Sequence, residues 1–167
     1  QADGKLVVAG YSWNGSDNEF ALVRYNTDGT LDTGFDGDGK LATTINASWD
    51  VANDVIQQPD GKLVVAGGSG GDLALVRYNV VGSLDPAFDG DGKVATAIGT
   101  DWDIARSITR QPDGKLVVAG STNDGSNYNF ALVRYNADGS LDTALSDDGR
   151  VITGMGGGSV DSGRSVI

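Results

Sequence analysis

The sequence contains no cysteine and no histidine, only one glutamate (Glu19), three prolines and a single methionine. Without thiols or imidazoles there can be no disulfide, no thiolate nucleophile, no ordinary zinc site and no catalytic triad with a histidine base. Positive charge is also scarce: 12 Lys and Arg against 23 Asp and Glu leave a net charge of −11 and a pI near 4.1. Such a surface repels phosphate, which argues against nucleic acid as a partner and against an anionic bilayer surface. No apolar stretch approaches the roughly 20 residues of a membrane-spanning helix, so no membrane insertion is expected. An acidic, thiol-free chain of this kind fits a secreted or cell-surface setting.

Glycine is abundant, with 26 copies, and the apolar runs are rich in Val, Leu and Ala. That mixture favours strands and tight turns over helices. The 167 residues suit one domain with its own core. The chain starts at Gln1 inside a repeat and reads as a fragment or processed piece.

The repeat is explicit. GKLVVAG stands at Gly4–Gly10, Gly61–Gly67 and Gly114–Gly120, at successive spacings of 57 and 53 residues. FALVRYN or LALVRYN follows at Phe20–Asn26, Leu73–Asn79 and Phe130–Asn136, and then come Leu31-Asp32, Leu84-Asp85 and Leu141-Asp142. A third run occupies Gly39–Ile45, Gly92–Ile98 and Gly149–Met155, and a fourth Val51–Ile56, Ile104–Thr109 and Ser162–Ile167. Each repeat therefore offers four short strands. Asp60-Gly61 and Asp113-Gly114, set between apolar runs, predict hairpins with type I′ turns joining the fourth run to GKLVVAG. Both faces of LVVAG and FALVRY are apolar, so these strands should be covered on both sides, whereas the alternation in GKLATTI suits an outer strand.

These strings, QPDGKLVVAG followed by FALVRYNADGSLD and a Gly-Lys-Val strand, resemble the delta-60 repeat family, a bacterial β-propeller-like repeat. The resemblance runs through the whole chain and implies an all-β fold of three four-stranded propeller-type blades. Their approximate bounds are 1–48, 49–101 and 102–158, with 159–167 starting the next blade. It also implies a large, secreted or surface-attached bacterial protein and no known catalytic residues. Propellers close with about four to eight blades, so three form a partial propeller or half of a six-bladed ring. The expected partners are neighbouring repeats or a second copy of the chain, joined by strand addition.

Several residue sets carry candidate chemistry. Asp36, Asp38, Asp89 and Asp91 in DGDGK match the opening of a calcium loop but lack its later ligands, so turn formation is the expected role and calcium the alternative; no other cofactor is expected. Arg24, Arg77 and Arg134 lie in apolar strands and need anions. Asp32, Asp85 and Asp142 are the first partners to consider, Asp50, Asp103 and Asp161 the second, and a shared anion site the third reading. Trp49 and Trp102 hold equivalent places and suggest packing between blades. The loops between GKLVVAG and ALVRYN vary between copies, and Trp13, Asn14 and Asp17 in one, with Asn127 and Tyr128 in another, could hold a glycan or protein ligand. Asn14-Gly-Ser and Asn46-Ala-Ser match glycosylation sequons.

The functional expectation is a non-catalytic structural or protein-interaction module. Its alternative is a carbohydrate-binding or calcium-assisted adhesive module, and third comes a carboxylate-based glycosidase. Symmetry weighs against catalysis, because nearly every Asp has a counterpart in the other copies.

Overall fold

A computed structural model describes residues 1–46, 49–156 and 160–167. All regular structure among them is β, in eleven strands forming three separate antiparallel sheets. Sheet one contains β1 (Leu6–Trp13), β2 (Asn18–Tyr25) and β3 (Lys40–Thr43). Sheet two runs β4 (Asp50–Gln57), β5 (Leu63–Ser69), β6 (Asp72–Tyr78) and β7 (Lys93–Thr96). Sheet three repeats it with β8 (Asp103–Arg110), β9 (Leu116–Asn123), β10 (Tyr128–Tyr135) and β11 (Arg150–Thr153). Strands neighbour one another in chain order within every sheet. The GKLATTI-type runs give β3, β7 and β11, each at a sheet edge.

The sheets stack face to face, and a core fills each of the two gaps. Between sheets one and two lie Phe20, Leu22 and Phe35 from the first and Leu63, Val65, Val76 and Tyr78 from the second. The next gap repeats the arrangement with Leu73, Leu75 and Phe88 against Leu116, Val118, Val133 and Tyr135. Side chains alternate across a strand, so a sheet with neighbours on both sides must be apolar on both. Sheet two meets that condition: β5 is buried throughout and β6 from Leu73 to Tyr78. The outer sheets do not. In β10 Ala131, Val133 and Tyr135 are buried while Phe130 is exposed and Leu132 and Arg134 are half-buried.

One expectation needs correction. The β4–β5 and β8–β9 hairpins form, but their turns are not type I′. Gly61 N–H donates to the Gln58 carbonyl and Gly114 N–H to that of Gln111, closing four-residue turns in which only the glycine has positive φ, at 85° and 94°. Pro59 and Pro112 fix negative φ at the first central position, so the left-handed residue moves to the end of the turn. Each fourth run pairs with the GKLVVAG strand that follows it, as expected, so sheets two and three have four strands; sheet one has three, and residues 161–167 form no strand.

Inner strands β4 and β8 each carry a bulge, at Asn53 and Arg106. A bulge turns its extra side chain out of the ladder. Asn53 Nδ2 uses that freedom to donate to the Ala105 carbonyl of the next sheet at 2.8 Å, and Asp54 accepts the Ile108 amide at 2.8 Å.

Candidate functional site

The three arginines and the first set of aspartates meet in every copy. Arg24 Nε lies 2.6 Å from Asp32 Oδ2, Arg77 2.7 Å from Asp85 and Arg134 2.6 Å from Asp142. A lysine from each DGKL turn completes the group: Lys5, Lys62 and Lys115 approach the same carboxylate oxygens at 2.8, 2.9 and 2.8 Å. Two cations on one carboxylate hold it ionised. Lys5, with the Gly34 amide and Arg24, overcomes burial and takes Asp32 down to about 2. At Asp85 burial opposes ionisation, yet Lys62, the Ala87 amide and Arg77 together keep it below the ordinary range. Lys115 does most of the same work at Asp142. The lysines were legible as invariant members of the repeat but carried no sign of their partner, which lies 23 or 27 residues away.

Two of the three arginines also reach past their own sheet. Arg24 Nη1 donates to the Val80 carbonyl at 2.6 Å and Arg77 Nη1 to that of Ala137 at 2.5 Å. Beside them, Asp36 N–H donates to the Val81 carbonyl and Asp89 N–H to that of Asp138, both at 2.8 Å. Arg24 stacks over Phe35 at 4.4 Å and Arg77 over Phe88 at 4.7 Å, a cation–π contact that Leu145 cannot offer Arg134. Thus the arginine seals a sheet to its successor as well as pairing internally. No carbonyl meets Arg134 Nη1 among the described residues.

The second aspartate set has a different role. Asp50 and Asp103 accept the Ile45 and Ile98 amides, and Asp161 the Met155 amide, so these side chains tie the third run of one repeat to the inner strand that follows. In the DGDGK turns Asp38 and Asp91 accept the amides of Lys40 and Lys93, while Asp36 and Asp89 take positive φ of 50° and 52°. Among the described residues no group of three or more metal-ligating side chains comes together.

The loop residues are not assembled into one site. Trp13 is exposed, and Asn14 caps its own turn by accepting the Ser16 and Asp17 amides. In the β9–β10 loop the Asn127 backbone amide donates to Asp124 of the same loop. Of the Asn46-Ala-Ser sequon, residues 47 and 48 lie outside the described residues.

Tyr128 instead joins the tryptophans. Trp49 and Trp102 meet edge to face, centroids 4.9 Å apart, and with Arg106, Tyr128, Val160 and Arg164 they line a pocket of about 280 Å³. Trp49 takes a positive φ of 49° to sit there. The two tryptophans are contacts between sheets that stay 38% and 42% exposed, so they are not simply packing. Neither Arg106 nor Arg164 forms a salt bridge among the described residues. The equivalent places of Trp49 and Trp102 announced their contact; the repeat pattern gave no sign that Tyr128 joins them.

The apolar end faces complete the inventory. Leu6 and Val8 on β1 are 59% and 56% exposed, although their counterparts Leu63, Val65, Leu116 and Val118 are at most 2% exposed. At the opposite end Phe130 is 38% exposed where Phe20 and Leu73 are fully buried. A family model described as "Domain of unknown function (DUF5122) beta-propeller" matches the chain at residues 1–35, 58–88 and 111–144, over half of its length. Comparison with curated proteins gave no match.

Proposed function

The chain belongs to this β-propeller family of unknown function (DUF5122), and from that premise we propose that it is a non-catalytic structural and protein-interaction module of a secreted or cell-surface bacterial repeat protein. One observation carries the reading: the outward faces of the first and third blades are apolar, and they are made of the residues that bury themselves between blades elsewhere in the chain. Leaving a leucine or valine of this kind in water forgoes about 1.5–3 kcal/mol per side chain. Exposed apolar patches framed by polar groups mark surfaces that take a protein partner. The non-catalytic part is supported by repetition, since the buried Asp–Arg–Lys groups occur three times over and each is consumed by its own ion pair.

The test is a sedimentation-velocity series on the chain and on its Leu6→Asp/Val8→Asp variant. The parent should associate as concentration rises, and the variant should stay at the 17.2 kDa of one chain with an unchanged circular dichroism spectrum. A parent that remains at one chain's mass at every concentration contradicts the proposal.

A second reading, carbohydrate binding, is favoured by one specific feature, the Trp49–Trp102 pocket. Exposed aromatic faces stack on sugar rings, and the guanidinium groups of Arg106 and Arg164, which form no salt bridge among the described residues, suit a sugar that carries a carboxylate. Binding of polyuronate oligosaccharides that Trp102→Ala abolishes would establish it; no heat on calorimetric titration would remove it.

A further inference from the structure

The repeats are close copies, and at the seam between blades two and three two of their positions change together. Gln57 ends β4 and pairs with Leu63; Arg110 ends β8 and pairs with Leu116, the same place one blade later. Their head groups sit alike over the turn that follows. A Cβ on Gly61 would meet Gln57 Nε2 at 4.0 Å, and one on Gly114 would meet Arg110 Nη2 at 3.4 Å. Between blades one and two, Gln57 Oε1 accepts the Ala2 amide at 3.2 Å. Between blades two and three that bond is impossible, because Pro59 stands in the place of Ala2 and has no N–H, and a guanidinium has no acceptor.

Where the bond is lost there is a pocket of about 260 Å³, lined by Gln58, Pro59, Asp60, Arg77, Arg110 and Ala137. Three sets of donors in it lack a partner among the described residues. Arg110 is half-buried and forms neither a hydrogen bond nor a salt bridge. Gln58 is only 8% exposed, yet its side-chain amide bonds to nothing. Arg77 spends Nε on Asp85 and Nη1 on the Ala137 carbonyl, which leaves Nη2. Buried polar groups are normally satisfied, so this pocket calls for an acceptor from outside the chain.

The surrounding charges select its kind. Arg77, Arg110 and Lys62 stand against Asp85 and Asp60, with Lys62 at 2.9 Å from the first carboxylate and 3.7 Å from the second. Three cations against two carboxylates leave one positive charge, in a chain whose net charge is −11. One negative charge balances it, whereas a dianion is repelled by Asp60 and by the acidic chain at large. The planar fork of a guanidinium matches a carboxylate through two parallel bonds. We propose that this pocket binds a monocarboxylate, held by the Arg110 and Arg77 guanidinium groups and the Gln58 amide, with Pro59 and Ala137 against the attached carbon. A free acid and the C-terminus of a peptide offer that same chemistry. The pocket shares no residue with the Trp49–Trp102 cluster or with the apolar end faces, so its test stands apart from theirs.

Titration followed by amide NMR at low salt tests the site, with acetate, N-acetylglycylglycine and the carboxamide of that dipeptide as probes. Acetate and the dipeptide acid should shift the Gly114 and Asp60 amides and the Arg110 Nε–H signal, and the carboxamide should shift none of them. A dipeptide acid that binds roughly tenfold tighter than acetate, or better, assigns the site to a chain end, and a smaller difference assigns it to a free acid. Arg110→Gln gives blade three the residue that blade two carries at this place, so it should fold and melt as the parent does. It should bind acetate roughly tenfold more weakly, or worse. No shift from either acid, a carboxamide that binds like the acid, or an Arg110→Gln chain that binds like the parent overturns the proposal. Sulfate that binds more tightly than acetate also overturns it, because the site would then prefer a dianion.

Discussion

At the scale of single residues, stability centres on a carboxylate shared by two cations. Asp85 sits between Arg77 and Lys62, and Arg77 also donates to Ala137 and stacks on Phe88. Arg77→Ala removes all of these and leaves a carboxylate with a single cation, a loss on the order of 3 kcal/mol; chemical denaturation should show it, and an unchanged midpoint would refute the role. The same groups set the acid limit. Asp32 is held at about 2, and Asp85 and Asp142 are held below the usual range, while the unfolded chain titrates near the ordinary carboxylate value of 3.8. A folded-state value below the unfolded one stabilises the protein above the unfolded value, and this contribution disappears as pH falls toward the folded one. The melting temperature should therefore be flat from neutrality to about pH 5 and drop below about pH 4. A flat profile down to pH 2 would mean that these pairs do not act as described.

Among elements, the inner hairpin shows how much the chain's own pattern discloses. The apolar runs, their order and the edge position of β3, β7 and β11 were legible because strand burial leaves a period of two in the sequence. Turn type was not: Asp-Gly pointed to a two-residue loop, and Pro59 and Pro112 override it from one position upstream. The bulges at Asn53 and Arg106 were also hidden, since an extra residue in a strand changes register without changing composition. Their trace is Gly67 and Gly120, whose glycine is required by a neighbouring carbonyl and not by φ. Gly67→Ala should consequently destabilise the fold far more than a typical Gly→Ala exchange in a strand, which tends to stabilise by about 0.4–1 kcal/mol. Thermal denaturation of the two variants separates these effects: Gly67→Ala falls, Gly10→Ala does not, and equal shifts would contradict the bulge argument. The Trp49–Trp102 contact was legible in their equivalent repeat places, but the pocket around it was not, because only stacking of the sheets brings Tyr128 to them.

For the whole molecule, the three repeats differ in environment far more than in sequence. The middle blade is buried on both faces, and the outer two keep one face each in water although they carry the same apolar residues. The exposed end faces carry the same residue types that the middle blade buries. Sedimentation equilibrium of the parent chain measures this most directly. The account predicts a species heavier than one chain that grows with concentration, because the end faces are built of residues that blades bury elsewhere; a single-chain species at all concentrations would contradict it.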